Sequence, residues 1–198
     1  MRGMPIDKEW KTAPPAESLF GSERFTGLDA NVLDFWRFAM SDLRVNNLRG
    51  YLAEFLVARA VGASGPRVEW DAYDVLAPDG TTIEVKSSAY LQVWEQRRPT
   101  AITFRGLKAR PWNPRTGYAD EATYNSDVYV FAIQTATTHE TYDPLDIAQW
   151  EFYVVPRDSL AVLGFKTIRL STLSMLAGEP VSYRALADAI RRSAKGGE

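Results

Sequence analysis

The stretch that most constrains this fold is a β-hairpin predicted over residues 74–86. Polar and apolar side chains alternate from position 82 onward, which is the period of a strand with one buried face. Glu84 and Lys86 therefore share a strand face. Residues 77–80 read Ala-Pro-Asp-Gly. This sequence favours a tight turn, because Pro presets φ at the second position and Gly adopts the left-handed conformation.

The length of this turn decides which side chain faces Glu84. A two-residue turn would place Val75 opposite Glu84 and direct Asp74 to the other face. A three-residue turn that starts at Pro78, with a bulge at Gly80, would place Asp74 directly opposite Glu84. The proline favours the longer turn, because a proline within the strand ladder would lack a hydrogen-bond donor.

Two carboxylates that face each other across a hairpin need a positive charge between them. Directly opposed residues have Cβ atoms roughly 4.5–5.5 Å apart, and like charges at that distance destabilise a sheet. A divalent metal ion is the natural occupant, since hard cations prefer oxygen ligands. Lys86 projects from the same face, where it could hold a water molecule or stabilise charge that develops on a phosphate.

This arrangement, in which Asp74 is followed after nine residues by Glu84, Val85 and Lys86, resembles the motif of the PD-(D/E)XK nuclease superfamily. The superfamily is also called restriction-endonuclease-like. Tyr73 stands where many of its members have a proline. Members usually carry a further acidic residue on a helix that precedes the hairpin.

Glu54 is the candidate for that further acidic residue, on a helix predicted over residues 47–61. Its neighbours one turn away are small or apolar: Gly50, Tyr51, Val57 and Ala58. A carboxylate in such surroundings is partly desolvated, which is unfavourable unless it meets a cation or a donor. Two interpretations stay open. Glu54 is either a surface side chain at the edge of the apolar face or a carboxylate beside the metal or its water.

The resemblance implies a metal-dependent nuclease that hydrolyses phosphodiester bonds. We expect DNA more than RNA as the substrate, although the sequence does not decide between them. Asp74, Glu84 and the Val85 carbonyl would bind Mg²⁺ or Mn²⁺, and Glu54 would complete the shell directly or through water. Lys86 would position the attacking water or stabilise the charged phosphate. The catalytic set implied is thus Asp74, Glu84, Lys86 and Glu54. A homodimer is a further expectation, since many relatives cut two strands as dimers.

The resemblance also implies a fold class. The order of predicted elements fits an α/β protein with a restriction-endonuclease-like core, a mixed central β-sheet flanked by helices. The length of 198 residues suits one nuclease-like domain over residues 1–198. We expect an irregular N-terminal arm over residues 1–28, the core over 47–155 and a frayed tail over 195–198.

Hydrophobic periodicity and turn residues predict the individual elements. Helices are predicted over residues 31–43, 47–61 and 183–193. Strands are predicted over residues 68–77 (or two strands with a break near Asp71), 81–88, 101–104, 127–133, 150–155 and 166–170. The run at 127–133 is nearly continuous in β-prone residues, so it should be a central buried strand.

Composition narrows the cellular context. The chain contains no cysteine, which excludes disulfides and thiolate metal sites. No apolar run approaches the length of a membrane span, and residues 1–5 lack the apolar core of a signal peptide. These features suit the cytoplasm. The single histidine, His139, falls in a polar loop, so we exclude it from the site.

Charge distribution bears on a nucleic-acid partner. The net charge of −2 argues mildly against one, but residues 97–115 hold six basic side chains and no acidic one. Aromatic residues are interleaved there, and they would either stack on bases or pin the loop to the body of the protein. The predicted contacts to nucleic acid are Ser88, Gln92, Arg97, Arg98, Arg105, Lys108 and Arg110.

Two other interpretations compete with catalysis. The chain could be a non-catalytic nucleic-acid-binding or scaffold protein that keeps the nuclease fold, since one fold hosts many functions. Alternatively, Glu84 and Lys86 form a weak ion pair on a solvated sheet face. Asp74 disfavours this last interpretation, because an unpaired carboxylate opposite Glu84 would destabilise the sheet.

Overall fold

Helices and short strands surround one central sheet in this protein. The computed structural model describes residues 14, 17–67, 69, 71–113 and 115–196. In chain order the elements are α1 (Val32–Met40), α2 (Asn46–Val61), β1 (Val75–Leu76), β2 (Thr82–Ala89), β3 (Thr103–Arg105), β4 (Trp112–Asn113), β5 (Gly117–Tyr118), β6 (Val128–Gln134), β7 (Trp150–Pro156), α3 (Arg157–Leu163), β8 (Thr167–Arg169), α4 (Leu170–Ala177) and α5 (Tyr183–Lys195).

The central sheet is four-stranded and mixed, with the order β1-β2-β6-β7. The β2–β6 pair is parallel, and the pairs at either side are antiparallel. Every residue of β6 is buried, which confirms the predicted central strand. Two small sheets, β3–β8 and β4–β5, complete the strands of the described residues.

Two apolar layers sandwich the sheet. On one face, α2 and α5 pack against β2, β6 and β7 through side chains such as Leu56, Ile83 and Leu186. On the other face, β3, β8, α3 and α4 cover Phe131 and its neighbours, and Phe104 meets the Phe131 ring edge-on at 5.0 Å. The prediction of an α/β fold with a mixed sheet flanked by helices is confirmed at this level.

The hairpin has the longer of the two predicted turns. Val75 pairs with Ile83 and Leu76 with Thr82, so residues 78–80 form the turn. The Ala77 carbonyl accepts from the Gly80 N–H at 2.9 Å, and Gly80 has a φ of +91°. This register places Asp74 beside Glu84, as the position of the proline predicts.

Replacing Gly80 with alanine is expected to lower the free energy of unfolding by about 1–2 kcal/mol, because a β-carbon disfavours a positive φ. Nothing lies within 4 Å of the added carbon, so the effect is one of backbone conformation alone. Chemical denaturation measures it. The control is Gly196→Ala, where φ is −78°. Equal stability of the two variants would contradict the requirement for a positive φ at position 80.

Several predicted elements differ from those observed. A strand forms only at Val75–Leu76, so the prediction over residues 68–77 is wrong; positions 68 and 70 lie outside the described residues. The ladder stops because the Asp74 carboxylate, not a backbone carbonyl, accepts from the Val85 N–H. The sequence interpretation missed α3, α4 and the β4–β5 pair, which are all short.

The two ends of the chain also depart from expectation. Residues 1–13, 15 and 16, which make up much of the predicted arm, lie outside the described residues. The helix predicted over 31–43 ends at Met40, and only Val32 of it is buried. Lys195 belongs to α5 and not to a frayed tail. None of the described helices is both long and apolar enough to cross a membrane.

Candidate active site

The candidate site lies where β1 and β2 part. The Asp74 N–H donates at 3.0 Å to the carbonyl of Ile83, which is already the partner of Val75, so the ladder is irregular at this point. The Val85 N–H then donates to the Asp74 carboxylate at 2.7 Å. Within the described residues, the rest of β2 pairs only with β6. The Asp74 side chain thus sits at the start of an open strand edge.

Glu84 and Lys86 form an ion pair on the same strand face. The Lys86 Nζ lies 2.5 Å from a Glu84 carboxylate oxygen, and the side chains are 25% and 17% exposed, respectively. Burial raises the pKa of Glu84, and the neighbouring charge of Asp74 raises it further, while Lys86 acts in the opposite direction. The ion pair that the third interpretation expected is thus present, but it lies on a partly buried face of the sheet and not on a solvated one.

Tyr129 lies next to the Glu84–Lys86 pair on the adjacent strand. It is the β6 partner of Glu84 and is almost completely buried. Burial, followed by the charge of Glu84, raises the pKa of Tyr129 to about 12. Its hydroxyl accepts from the Asn125 N–H at 3.0 Å, which ties the loop before β6 to the sheet.

Glu54 approaches the cluster from α2, which packs against β1 and β2. Its side chain is only 12% exposed. Burial raises the pKa of Glu54 and the charge of Asp74 raises it too, whereas Arg67 and Lys86 lower it. Glu54 thus belongs to the same electrostatic cluster as Asp74 and Lys86 and is largely buried at the edge of the apolar face, while its role beside a metal stays a prediction.

Arg67 is the residue of the cluster that sequence reasoning missed. Its guanidinium pairs with both Glu54 and Glu69 and lies 4.5 Å from the centre of the Tyr51 ring. Burial alone would lower the pKa of Arg67, but the hydrogen bonds to the two glutamates raise it. The apolar neighbours of Glu54 predict that a cation or donor lies near it, but no local sequence pattern identifies Arg67 as that cation.

The oxygen donors at this edge fit a hard divalent cation. Asp74 uses one carboxylate oxygen for the Val85 N–H. In an extended strand, the Val85 carbonyl projects to the same side as its N–H. Glu84 supplies a second carboxylate. Among the described residues, no three acidic or histidine side chains are arranged to hold a metal ion. Mg²⁺ is nonetheless commonly bound by one or two carboxylates, with water and substrate phosphates as its other ligands.

Two predicted nucleic-acid contacts are buried beside this cluster. Ser88 is 8% exposed and Gln92 is 7% exposed. The Gln92 side-chain amide donates to the Ala89 carbonyl at 3.1 Å, so it also has a structural role. Both residues line an open pocket next to the site.

The basic residues of the 97–115 stretch are divided between surface and loop anchoring. Arg97, Arg98 and Arg105 are exposed. Lys108 lies over the Tyr124 ring at 4.9 Å. Arg110 donates to the Ala119 carbonyl at 2.5 Å. Lys108 and Arg110 thus contact their own loop, whereas the side chains of Arg97, Arg98, Arg105 and Arg115 extend from the described surface.

The aromatic residues of that stretch also have different environments. Tyr124 meets Tyr129 edge-on at 5.8 Å and donates to the Phe165 carbonyl at 2.6 Å. Tyr124 therefore pins the loop to the body of the protein. Trp112 and Tyr118, on the β4–β5 pair, are half exposed and are accessible for stacking.

No protein-family model and no curated protein matches the sequence, so the chemistry of the cluster is inferred from its own side chains. Those side chains are Glu54, Asp74, Glu84, Arg67 and Lys86, with Glu69 at the rim. The carboxylates outnumber the cations. The cluster therefore retains an excess of negative charge in a partly desolvated position, which a metal ion would neutralise.

Proposed function

We propose that this protein is a metal-dependent nuclease that hydrolyses phosphodiester bonds, with DNA as the expected substrate. The observation that carries the proposal is the pair of neighbouring carboxylates Asp74 and Glu84 at a partly buried strand edge, with Lys86 bound to Glu84. The mixed sheet with helices on both faces is compatible with a restriction-endonuclease-like core, which we propose as the finer fold assignment.

The chain's own residues divide the work of hydrolysis. Asp74, Glu84 and the Val85 carbonyl would hold Mg²⁺ or Mn²⁺, which lowers the pKa of a bound water and neutralises phosphate charge. The Lys86 ammonium would leave Glu84 for the substrate, where it orients the attacking water or stabilises charge on the phosphate. The water oxygen would bond to phosphorus and release a proton to solvent, while the bond to the leaving oxygen breaks and that oxygen takes up a proton from solvent.

The role proposed for Glu54 is to act on the metal site through water. Glu54→Gln is expected to raise the Mg²⁺ concentration for half-maximal activity about tenfold, the usual effect of losing a supporting partner of a metal site. A Mg²⁺ titration of the initial cleavage rate measures it.

Glu69→Gln is the matched control, because Glu69 also pairs with Arg67 but its side chain is 61% exposed. This control should require nearly the wild-type Mg²⁺ concentration. An unchanged requirement in Glu54→Gln would assign Glu54 a structural role as the partner of Arg67.

One observation favours a second candidate function, a nucleic-acid-binding or scaffold protein without catalysis. Lys86 pairs with Glu84 and Arg67 pairs with Glu54, so two of the three central carboxylates already have a cation. A buried ion-pair network of this kind can persist without metal. The two candidates differ in whether the protein binds a divalent ion.

The test combines cleavage with calorimetry. Wild-type protein is incubated with plasmid, linear duplex, single-stranded DNA and RNA, in Mg²⁺, in Mn²⁺ and in EDTA. Metal-dependent cleavage of at least one substrate is expected. Calorimetric titration with Mn²⁺ is run with and without a short DNA, because substrate oxygens complete the shell of such ions. If no substrate is cut and no metal binds even with DNA present, the nuclease proposal is wrong.

A further inference from the structure

An open pocket of about 360 Å³ lies beside the candidate site, between the start of α2 and the last residues of β2. Its lining is rich in hydrogen-bond donors and includes Asn46, Arg49, Ser87, Ser88, Trp94 and Thr103. None of the described lining residues is a carboxylate. A pocket with donors and a cation but no acid favours an anion.

Arg49 is a buried cation without a compensating charge among the described residues. It is only 5% exposed. One terminal nitrogen donates to the Arg44 carbonyl at 3.2 Å and the other to the Asn46 amide oxygen at 2.7 Å. Its Nε is buried with no hydrogen-bond partner in the described structure. Burial lowers the pKa of Arg49, with the neighbouring Tyr142 hydroxyl acting in the opposite direction. A buried charge with only neutral partners is costly, and an anion in the pocket would offset that cost.

The N-terminus of α2 adds to this positive potential. Val45 occupies the N-cap position and provides no side-chain hydrogen bond, so the first N–H groups of this 16-residue helix lack a side-chain acceptor. The helix dipole places partial positive charge at the same end. Asn46 and Arg49, both in the first turn, line the pocket. The Arg49 charge and the partial positive charge of the helix end thus both contribute a positive potential to the same pocket.

The pocket is about one nucleotide away from the candidate site. Ser88 follows Lys86 by two residues on the same strand face, a separation of roughly 6.5 Å. Arg49 precedes Glu54 by five residues, which is about 7.5 Å along α2. Trp94, which is 56% exposed, lies at the pocket and presents a ring on which a base can stack.

We propose that this pocket binds the phosphate next to the scissile one in an unpaired nucleic-acid strand, with Arg49 as its cation and Trp94 stacked on the adjoining base. The position of this phosphate relative to the cleaved bond rests on the proposed nuclease function, but binding of the strand does not require cleavage. Stacking demands an unpaired base, so the pocket selects single strands or opened ends over intact duplex.

Fluorescence anisotropy with a labelled single-stranded oligonucleotide in EDTA tests the proposal, since no cleavage occurs there. Arg49→Gln is expected to weaken binding about 10- to 100-fold and to reduce the slope of log K against log salt by about 0.7, the contribution of one phosphate. Trp94→Ala should weaken binding about tenfold. Arg59→Gln, an exposed arginine of the same helix, is the control and should leave affinity and slope nearly unchanged.

A second measurement covers the case in which Arg49→Gln does not fold. Oligonucleotides with one uncharged methylphosphonate linkage, moved along the strand, are titrated against the wild-type protein. One linkage position should weaken binding about 10- to 100-fold, whereas an uncharged linkage at the other positions should have only a small effect. Equal, small losses at every linkage would overturn the proposal.

The remaining outcomes separate this inference from the nuclease proposal. Binding that depends on Arg49 in a protein that cuts no substrate supports the pocket and refutes the nuclease. Cleavage with wild-type affinity in Arg49→Gln supports the nuclease and overturns the pocket. A third outcome is that inorganic phosphate binds through Arg49 but oligonucleotide affinity does not depend on Arg49. That result would assign the pocket to a free anion and also overturn the proposal.

Discussion

Lys86→Ala is expected to reduce the rate of phosphodiester cleavage by about 100- to 1000-fold, the usual effect of removing one group that stabilises charge in a transition state. Lys86 is the cation on the same strand face as the facing carboxylates, and its Nζ is held 2.5 Å from Glu84. No other lysine belongs to the cluster in the described structure. Initial rates on a labelled DNA substrate at saturating Mg²⁺ measure the effect.

Two further variants separate chemistry from folding. Lys86→Met keeps the length of the side chain without its charge and should lose as much activity as the alanine variant. Lys166→Ala removes an exposed lysine far along the chain and should keep full activity. Thermal unfolding checks that all three variants fold. Wild-type rates in Lys86→Ala would refute the mechanism proposed for this residue.

Asp74→Asn is expected to abolish measurable Mn²⁺ binding and to reduce the cleavage rate about 1000-fold or more, because the metal ion would lose one of its charged carboxylate ligands. The asparagine oxygen can still accept the Val85 N–H that Asp74 accepts at 2.7 Å, so the hairpin should keep its register. The charge that raises the pKa of both Glu54 and Glu84 would also disappear.

Calorimetric titration of Mn²⁺ in the presence of a short DNA compares the wild type with this variant. Asp120→Asn removes an exposed loop carboxylate and should bind metal as the wild type does. If Asp74→Asn bound Mn²⁺ with unchanged affinity, the metal would lie elsewhere and the facing pair would be an ion-pair network. Loss of binding with a native thermal transition is the expected result.

The hairpin illustrates how much of the candidate site follows from local sequence. Pro78 and Gly80 specify a three-residue turn, and the period of two beyond it assigns Glu84 and Lys86 to one face. The register that pairs Val75 with Ile83 follows from those local preferences. The central strand is equally local, because a run of β-prone apolar residues such as Val128–Gln134 has no stable exposed arrangement.

Predictions failed where the decisive contact is distant or the element is short. The strand expected over residues 68–77 shrinks to Val75–Leu76, because a side chain of the hairpin itself terminates the ladder. Ser88 and Gln92, two of the predicted nucleic-acid contacts, are largely buried, and the Gln92 amide binds the nearby Ala89 carbonyl, which the sequence pattern did not reveal.

Local sequence is enough to specify the hairpin, its turn, the face shared by Glu84 and Lys86, and the buried central strand. The pairing of Arg67 with Glu54 across 13 positions and the burial of Arg49 at a pocket also lined by Trp94 depend on the packed fold. The difference lies in the distance along the chain over which each interaction acts. Turn and strand preferences act between neighbouring residues, whereas desolvation and charge pairing depend on which distant segments the completed core brings together.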